Sequence, residues 1–444
     1  MTEKGSKIRT TSQSNAITDA IKFRITDIIM VVAMAIVYAF AFFQRVAVPG
    51  TVFDELQRGF SLSSALVTLL GGIYLYIYGA MQIPAGALID RFGGVRVLLV
   101  AGALLTVGAI LFPLSRSVCS LYCARALVGL GASAAYLSVI KEVDTRFSEK
   151  RFPAILGIII FSGYAGGLIG TFPLQRAVEA YGWRGALLTA GIATGAAVLI
   201  VALLSRTKSV VSKPSSSGSL RTVGEVVRNR TSIPVIITGS IVFGSYFVIQ
   251  TIIGKKLMVD CYGVSSTTAS SYTFLMMLTT MCFVGFMGYI PTLIGFRRRP
   301  VQIACSIMAT VASGAGVLCL TIGADNHWMF ACYLLLSVAS SSNIVFVCSM
   351  KEVNPPLAAA TAVGVLNTAS YLGIAILATL VGVILDQFNS SAVATKAAIS
   401  YPPQAYRAVF MLLFALSMMS VVISTFIKET KGQNSWYEIR DFVS

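Results

Sequence analysis

An all-α membrane protein of twelve transmembrane helices, built as two pseudo-symmetric six-helix bundles, is what this sequence predicts, and three observations carry the prediction. Of its 444 residues, 56% are hydrophobic and only 12% are charged, against about a quarter charged in an ordinary soluble domain. Apolar runs of about 20 residues, the length that crosses a bilayer, recur twelve times, near 26–48, 63–89, 97–114, 119–140, 153–174, 185–204, 233–254, 266–294, 300–322, 328–349, 361–385 and 405–427. A polar stretch at 205–232 divides those runs six and six.

Taken in order, residues 1–25 are polar and run straight into a full-length span, so they read as a cytoplasmic tail rather than a cleaved leader. The first bundle covers 26–204 and the second 233–427, with a cytoplasmic tail at 428–444. Between the bundles, Arg206, Lys208, Lys213, Arg221, Arg228 and Arg230 surround the run Ser215-Ser216-Ser217-Gly218-Ser219. Such a composition predicts a flexible basic linker on the cytoplasmic side. In a soluble protein the net charge of +16 would point to nucleic acid, but here its distribution argues topology instead. An arrangement with the N-terminus inside puts 24 Lys and Arg on the inner side against 9 on the outer. Both termini are therefore expected in the cytoplasm of a bacterial-type inner membrane, with the lipid bilayer and no nucleic acid as partner. A monomer is expected.

The two halves share traces of one unit. Lys141-Glu142-Val143-Asp144 returns as Lys351-Glu352-Val353-Asn354, Gly157 with Tyr164 matches Gly364 with Tyr371, and Gly93 with Arg96 matches Gly295 with Arg298. The offsets, 210, 207 and 202 residues, drift as loop insertions in a duplicated unit would make them drift.

The second and third runs are joined by Ile83-Pro84-Ala85-Gly86-Ala87-Leu88-Ile89-Asp90-Arg91-Phe92-Gly93-Gly94-Val95-Arg96. An Asp-Arg pair beside glycines suits a tight interfacial turn whose carboxylate can meet a helix N-terminus while its arginines stay in water. Arg125-Ala126-Leu127-Val128-Gly129-Leu130-Gly131-Ala132 places an arginine and glycines in the fourth run, and Gly163, Gly166, Gly167 and Gly170 precede Pro173 in the fifth. These stretches resemble the loop, fourth-helix and, loosely, fifth-helix motifs of the major facilitator superfamily of secondary transporters. The resemblance implies substrate binding near mid-membrane between two halves that rock to expose it alternately. It also implies a gating role for Asp90, Arg91 and Arg96. Because Thr292 stands where the first half has Asp90, a carboxylate latch would be one-sided, with Asp90 against the start of the eleventh helix near Thr361.

Ionisable residues inside the membrane carry a cost and mark function by default. Arg45, near the outer end of the first run, and Arg125, inside the fourth, stand out. From position alone Arg45 is either a snorkelling interfacial arginine or a substrate anchor, and Arg125 either a hub for backbone carbonyls or a substrate contact. Phe43-Gln44-Arg45-Val46-Ala47, followed by Pro49 and Phe53-Asp54-Glu55-Leu56, resembles the first helix of organic-anion transporters, where an arginine binds substrate carboxylate. It is similar too to bacterial relatives of the lysosomal dipeptide transporter. The stretch departs from the anion carriers at Gln44, where they commonly have an acidic residue. Tyr74 and Tyr78, one helical turn apart, join Gln250 and Asn343 as further candidate substrate contacts, against the ordinary role of such groups in bridging helices. Lys141, Glu142, Lys351 and Glu352 are solvated helix-end charges or an inner gate of reciprocal pairs, Lys141 with Glu352 and Lys351 with Glu142.

Enzyme chemistry finds no footing: the single histidine, His327, falls in a loop, and neither a phosphate loop nor a Ser/His/Asp set can be assembled. The eight cysteines have no metal-ligand spacing, and no cofactor is expected. The sequence thus predicts an alternating-access symporter or uniporter for a small carboxylate-bearing solute, with a coupling proton or ion undetermined. A peptide or zwitterion carrier is the alternative within the class, and a non-transporting receptor or sensor with the same fold the alternative outside it.

Overall fold

The computed structural model describes residues 26–147, 152–205, 220–389, 393–394 and 399–436. The tail before Thr26 and most of the expected linker, 206–219, lie outside the described residues. Among the described residues, eleven helices are long and apolar enough to cross a membrane, and one of these, Ile155–Ser205, runs for 51 residues. At 1.5 Å per residue that is about 76 Å, more than twice a hydrocarbon core. It holds two spans, because the helix breaks after Ile169 and bends again at Gly182, whose φ of +72° is open to glycine at little cost. Twelve crossings result.

The first to fourth spans are Thr26–Ala47, Ser64–Phe92, Gly94–Leu114 and Val118–Arg146; the fifth and sixth lie within Ile155–Ser205. The seventh to twelfth are Ser232–Tyr262, Ser266–Leu293, Arg299–Ile322, Asn326–Glu352, Ala359–Asp386 and Pro403–Ser424. A two-residue antiparallel ladder, Val393–Ala394 with Ile399–Ser400, lies between the last two. Below, the end of the molecule that carries residues 205 and 220 is the linker end, and the opposite one the far end.

Small residues bring the helices close, as lipid provides no hydrophobic force between them. A side chain at Gly166 would collide with the Ala39 carbonyl of the first span, and one at Gly131 with the third span at Ala101 and Leu105. Close packing therefore accounts for glycines of the fourth and fifth spans.

The halves meet chiefly along the second and eleventh spans, and contact is concentrated toward the far end. From that end inward, Asp386 faces Ser64 and Ala65, Gly382 faces Thr68, Gly72 faces Thr379 and Ala375, and Gly79 faces Tyr371 and Leu372. Nearer the linker end, Gly86 and Gly364 have open space where a side chain would project. The far end is closed and the linker-end portions of these two helices stand apart.

Part of the stretch expected to be flexible is instead a helix, Leu220–Arg228. Its Val226 is fully buried against Val235, Phe346, Met350, Ala358 and Ala362. Apolar residues spaced along an otherwise basic segment give it one face to bury, and the seventh, tenth and eleventh spans supply the groove.

Candidate substrate site and gates

Arg45 stands near the far end of the first span, and its side chain turns inward to Tyr78 and Tyr371, midway along the second and eleventh spans. It is 6% exposed. Nη1 donates to the Tyr371 hydroxyl of the eleventh span at 2.7 Å, while Nε is buried with no hydrogen-bond partner. The guanidinium lies 3.7 Å from the centre of the Phe42 ring and 5.5–5.9 Å from Tyr371, Phe247 and Tyr78. Cation–π attraction stabilises a desolvated guanidinium by about 2 kcal/mol or more, and among the described residues no carboxylate is paired with it.

An aromatic basket surrounds this cation. Tyr78 meets Tyr371 edge-on at 4.7 Å and stacks on Tyr74 at 5.8 Å, while Phe243 of the seventh span meets Tyr371 at 6.2 Å. On the opposite side Tyr38 lies 5.2 Å from Tyr136, and Phe42 lies 5.5 Å from Tyr164. The spans that contribute are the first, second, fourth, fifth, seventh and eleventh. The site is therefore shared by both halves.

Arg125 takes the other role that the sequence left open. Only 1% exposed, it donates to the backbone carbonyls of Leu70 (3.2 Å), Gln44 (2.9 Å) and Val48 (2.6 Å). It braces the first and second spans against the fourth. Carbonyls near the end of the first span lack intrahelical donors, and the guanidinium supplies them in this conformation. Tyr74 belongs with this brace: its ring covers Arg125 at 4.6 Å and its hydroxyl donates to the Ala41 carbonyl. Gln250 is buried in a π-turn at Ile249–Ile253, with Nε2 3.6 Å from the Met277 sulfur. Asn343, half-buried, opens the second segment of the tenth span after a break at Ser341 and Ser342.

At the linker end each half keeps its charges to itself. Asp90 accepts from Lys141 at 2.8 Å, and does not reach the start of the eleventh span. Glu142 receives Arg146 at 2.8 Å and, at the start of the third span, the Val95 amide at 3.0 Å, while Arg146 also pairs with Asp27 at 2.6 Å. A carboxylate does meet a helix N-terminus in this loop, but it is Glu142 on the third span rather than Asp90 on the eleventh. In the second half Glu352 pairs with Arg298 at 3.0 Å and accepts from the Thr430 hydroxyl. The pairs Lys141–Glu352 and Lys351–Glu142 are not formed with the linker end parted. Arg91, Arg96 and Lys351 are exposed.

The far end holds a network that the sequence reading missed. Lys256, its side chain 1% exposed, lies 2.8 Å from Asp54 of the first half and 3.3 Å from Asp260, and donates to the Ile399 carbonyl. Lys255 donates to the Thr51 carbonyl (2.5 Å) and Gln175 Oε1 (2.7 Å). Asp386, at the end of the eleventh span, accepts from the amides of Ser64 and Ala65 at 2.8 and 3.0 Å, capping the second span from the other half. Two lysines one turn before an aspartate, directly after an apolar run, were the available signal; the hydropathy profile assigns them to an aqueous loop.

Twelve crossings in two halves, a buried cation and aromatic cluster shared between them and a closure at one end define a multi-pass membrane protein. The family model of the Major Facilitator Superfamily matches residues 34–257, about half of the chain, and the chain belongs to that superfamily. It is a family of transporters, not of enzymes. Among curated relatives, the chain is 28% identical over 150 residues to the uncharacterized transporter YybO of Bacillus subtilis, covering 34% of each. It is 27% identical over 146 residues to monocarboxylate transporter 11 of Mus musculus, covering 33% of this chain and 32% of that protein. The match thus spans about a third of the length of these relatives. Among solved structures, a bacterial homolog to the human lysosomal transporter Spinster superposes with a TM-score of 0.68 at 16% identity, over 94% of this chain and 98% of that one, which speaks to the fold.

Proposed function

We propose that this protein is an alternating-access secondary transporter for a small carboxylate-bearing solute, and that Arg45 is the anchor for the carboxylate. The observation that carries the reading is Arg45 itself: a guanidinium buried between the halves, unpaired with any acid, with Nε unsatisfied. A cation in that position is costly, by about 2.5 kcal/mol or more, and an anion from solution offsets the cost. Support comes also from the name of the mouse relative, a monocarboxylate transporter.

A carboxylate arriving at Arg45 from the linker end competes with Tyr371 for Nη1 and brings Nε a partner. Since Arg45 is in one half and Tyr371 in the other, binding there is felt by both. In this reading the linker end is cytoplasmic, both termini lie in the cytoplasm of a bacterial-type inner membrane, and the present conformation faces inward. Opening outward breaks Lys256–Asp54 and the Asp386 cap, while Lys141 and Lys351 exchange partners for Glu352 and Glu142, and Asp90 turns to the eleventh span. Tyr78 and Gln250 line the path; in symport a proton or ion accompanies the solute, and in uniport the solute crosses without one. The lack of an acid beside Arg45, among the described residues, favours an anion over a zwitterion or peptide.

Proteoliposome uptake of labelled small acids by wild type, Arg45→Lys and Arg45→Ala tests the proposal. Uptake by wild type that falls at least tenfold in both variants is expected. Undiminished uptake in Arg45→Ala removes Arg45 as anchor, and binding without uptake in wild type supports a receptor instead.

A further inference from the structure

We infer that the solute bears its carboxylate on a flat aromatic ring, an aryl carboxylate rather than an aliphatic acid; the inference rests on Arg45 being the anchor. Six aromatic side chains from both halves, Tyr38, Phe42, Tyr136, Tyr164, Phe243 and Tyr371, keep part of their surface open although they sit around the buried Arg45. The Tyr78 ring centre lies 5.9 Å from the guanidinium, and Tyr38 and Tyr164 lie 6.1 and 5.5 Å from the Phe42 ring that covers it, so these rings cluster around the one cation. A core packed for stability alone leaves few voids beside its rings. Here they meet one another at angles between 36° and 82°, leaving faces and edges on two walls.

The guanidinium orients what enters. One of its faces is covered by Phe42 at 3.7 Å, Nη1 is held by Tyr371 and Nε is buried, so the nitrogen that an anion meets first is Nη2, in the guanidinium plane. A carboxylate approaching in that plane pairs with the fork side-on. If the carboxylate is conjugated with a ring, the ring lies in the same plane and extends between the aromatic walls, where edge-to-face contacts form at centroid separations of about 4.5–7 Å. A saturated ring of similar volume has no quadrupole to match those faces. Discrimination of about tenfold follows from one such pair.

Calorimetry on the purified full chain with benzoate, cyclohexanecarboxylate and acetate tests this, using wild type, Arg45→Ala, Tyr371→Leu and Phe243→Leu, with thermal unfolding as the check on folding. Wild type is expected to bind benzoate about tenfold more tightly than cyclohexanecarboxylate and acetate more weakly still. The ratio between the two ring acids should shrink toward one in whichever leucine variant folds, and Arg45→Ala should lose both acids. Equal or reversed affinities in wild type, lost together in Arg45→Ala, overturn the aryl inference and leave the anchor standing. A benzoate preference that survives Arg45→Ala overturns the anchor and keeps the ring. Failure of all three acids to bind wild type overturns both.

Discussion

Lys256 of the seventh span lies 2.8 Å from Asp54, on the short helix that follows the first span, so a buried ion pair joins the two halves at the far end. Breaking one side of a buried pair strands the other charge and costs about 3–5 kcal/mol. The stranding of Asp260, on the same helix as Lys256, is common to both conformations, but that of Asp54 falls on the far-closed one, because the pair between the halves parts when the far end opens. Lys256→Met should therefore shift the population toward far-end opening. A cysteine introduced at Gly50, which abuts the Thr251 backbone, would itself distort the closure, so Arg58→Cys on the exposed rim serves as the spectroscopic label. Distances from it to a second label at Thr267 should lengthen in Lys256→Met, and an unchanged distribution would remove the pair from the gate.

Arg125 predicts a different signature. Its three bonds to carbonyls are charge-assisted, each contributing about 1.5–3 kcal/mol. Arg125→Ala should lower the thermal midpoint or prevent membrane insertion, and Arg125→Lys, which keeps the charge and loses the fork, should fold with a lowered midpoint and bind acids about as wild type does. Loss of acid affinity in a stably folded Arg125→Lys would return Arg125 to the substrate site.

In the proposed cycle the pairs Lys141–Glu352 and Lys351–Glu142 form when the linker end shuts. Cysteines at Lys141 and Glu352 should cross-link weakly with the far end closed and more strongly once Lys256→Met opens it. Equal cross-linking in both backgrounds would refute the exchange of partners.

Glycines divide by what they touch. Gly166→Val drives a side chain into the Ala39 carbonyl, whereas Gly86→Ala adds a methyl to open space. Expression and monodispersity on size-exclusion chromatography should collapse for the first and stay near wild type for the second.

How far the sequence foretold this can be judged residue by residue. Apolar length and a central polar stretch were enough for twelve crossings, since lipid leaves a spanning backbone few choices. The position of Arg45 in an apolar run marked it as costly, but its inward turn depends on Phe42 and Tyr371, the latter 326 residues away. Asp54 and Lys256 escaped notice because each reads locally as a loop charge. The seventh helix instead continues through a π-turn to Tyr262, past the point where hydropathy ends it. Asp90 was read toward the eleventh helix, whereas the nearer ammonium of Lys141, in its own half, holds it in this conformation.

The C-terminal segment stays with one half. Glu429 accepts from the amides of Arg298 and Arg299, and the Ser435 amide donates to the Glu352 carbonyl, so the chain up to Trp436 is strapped to the ninth and tenth spans. The indole there is a passenger of one rocking body, while that of Trp183 rides on the other. Native fluorescence thus has an emitter on each side of the boundary between the halves, without a single engineered site.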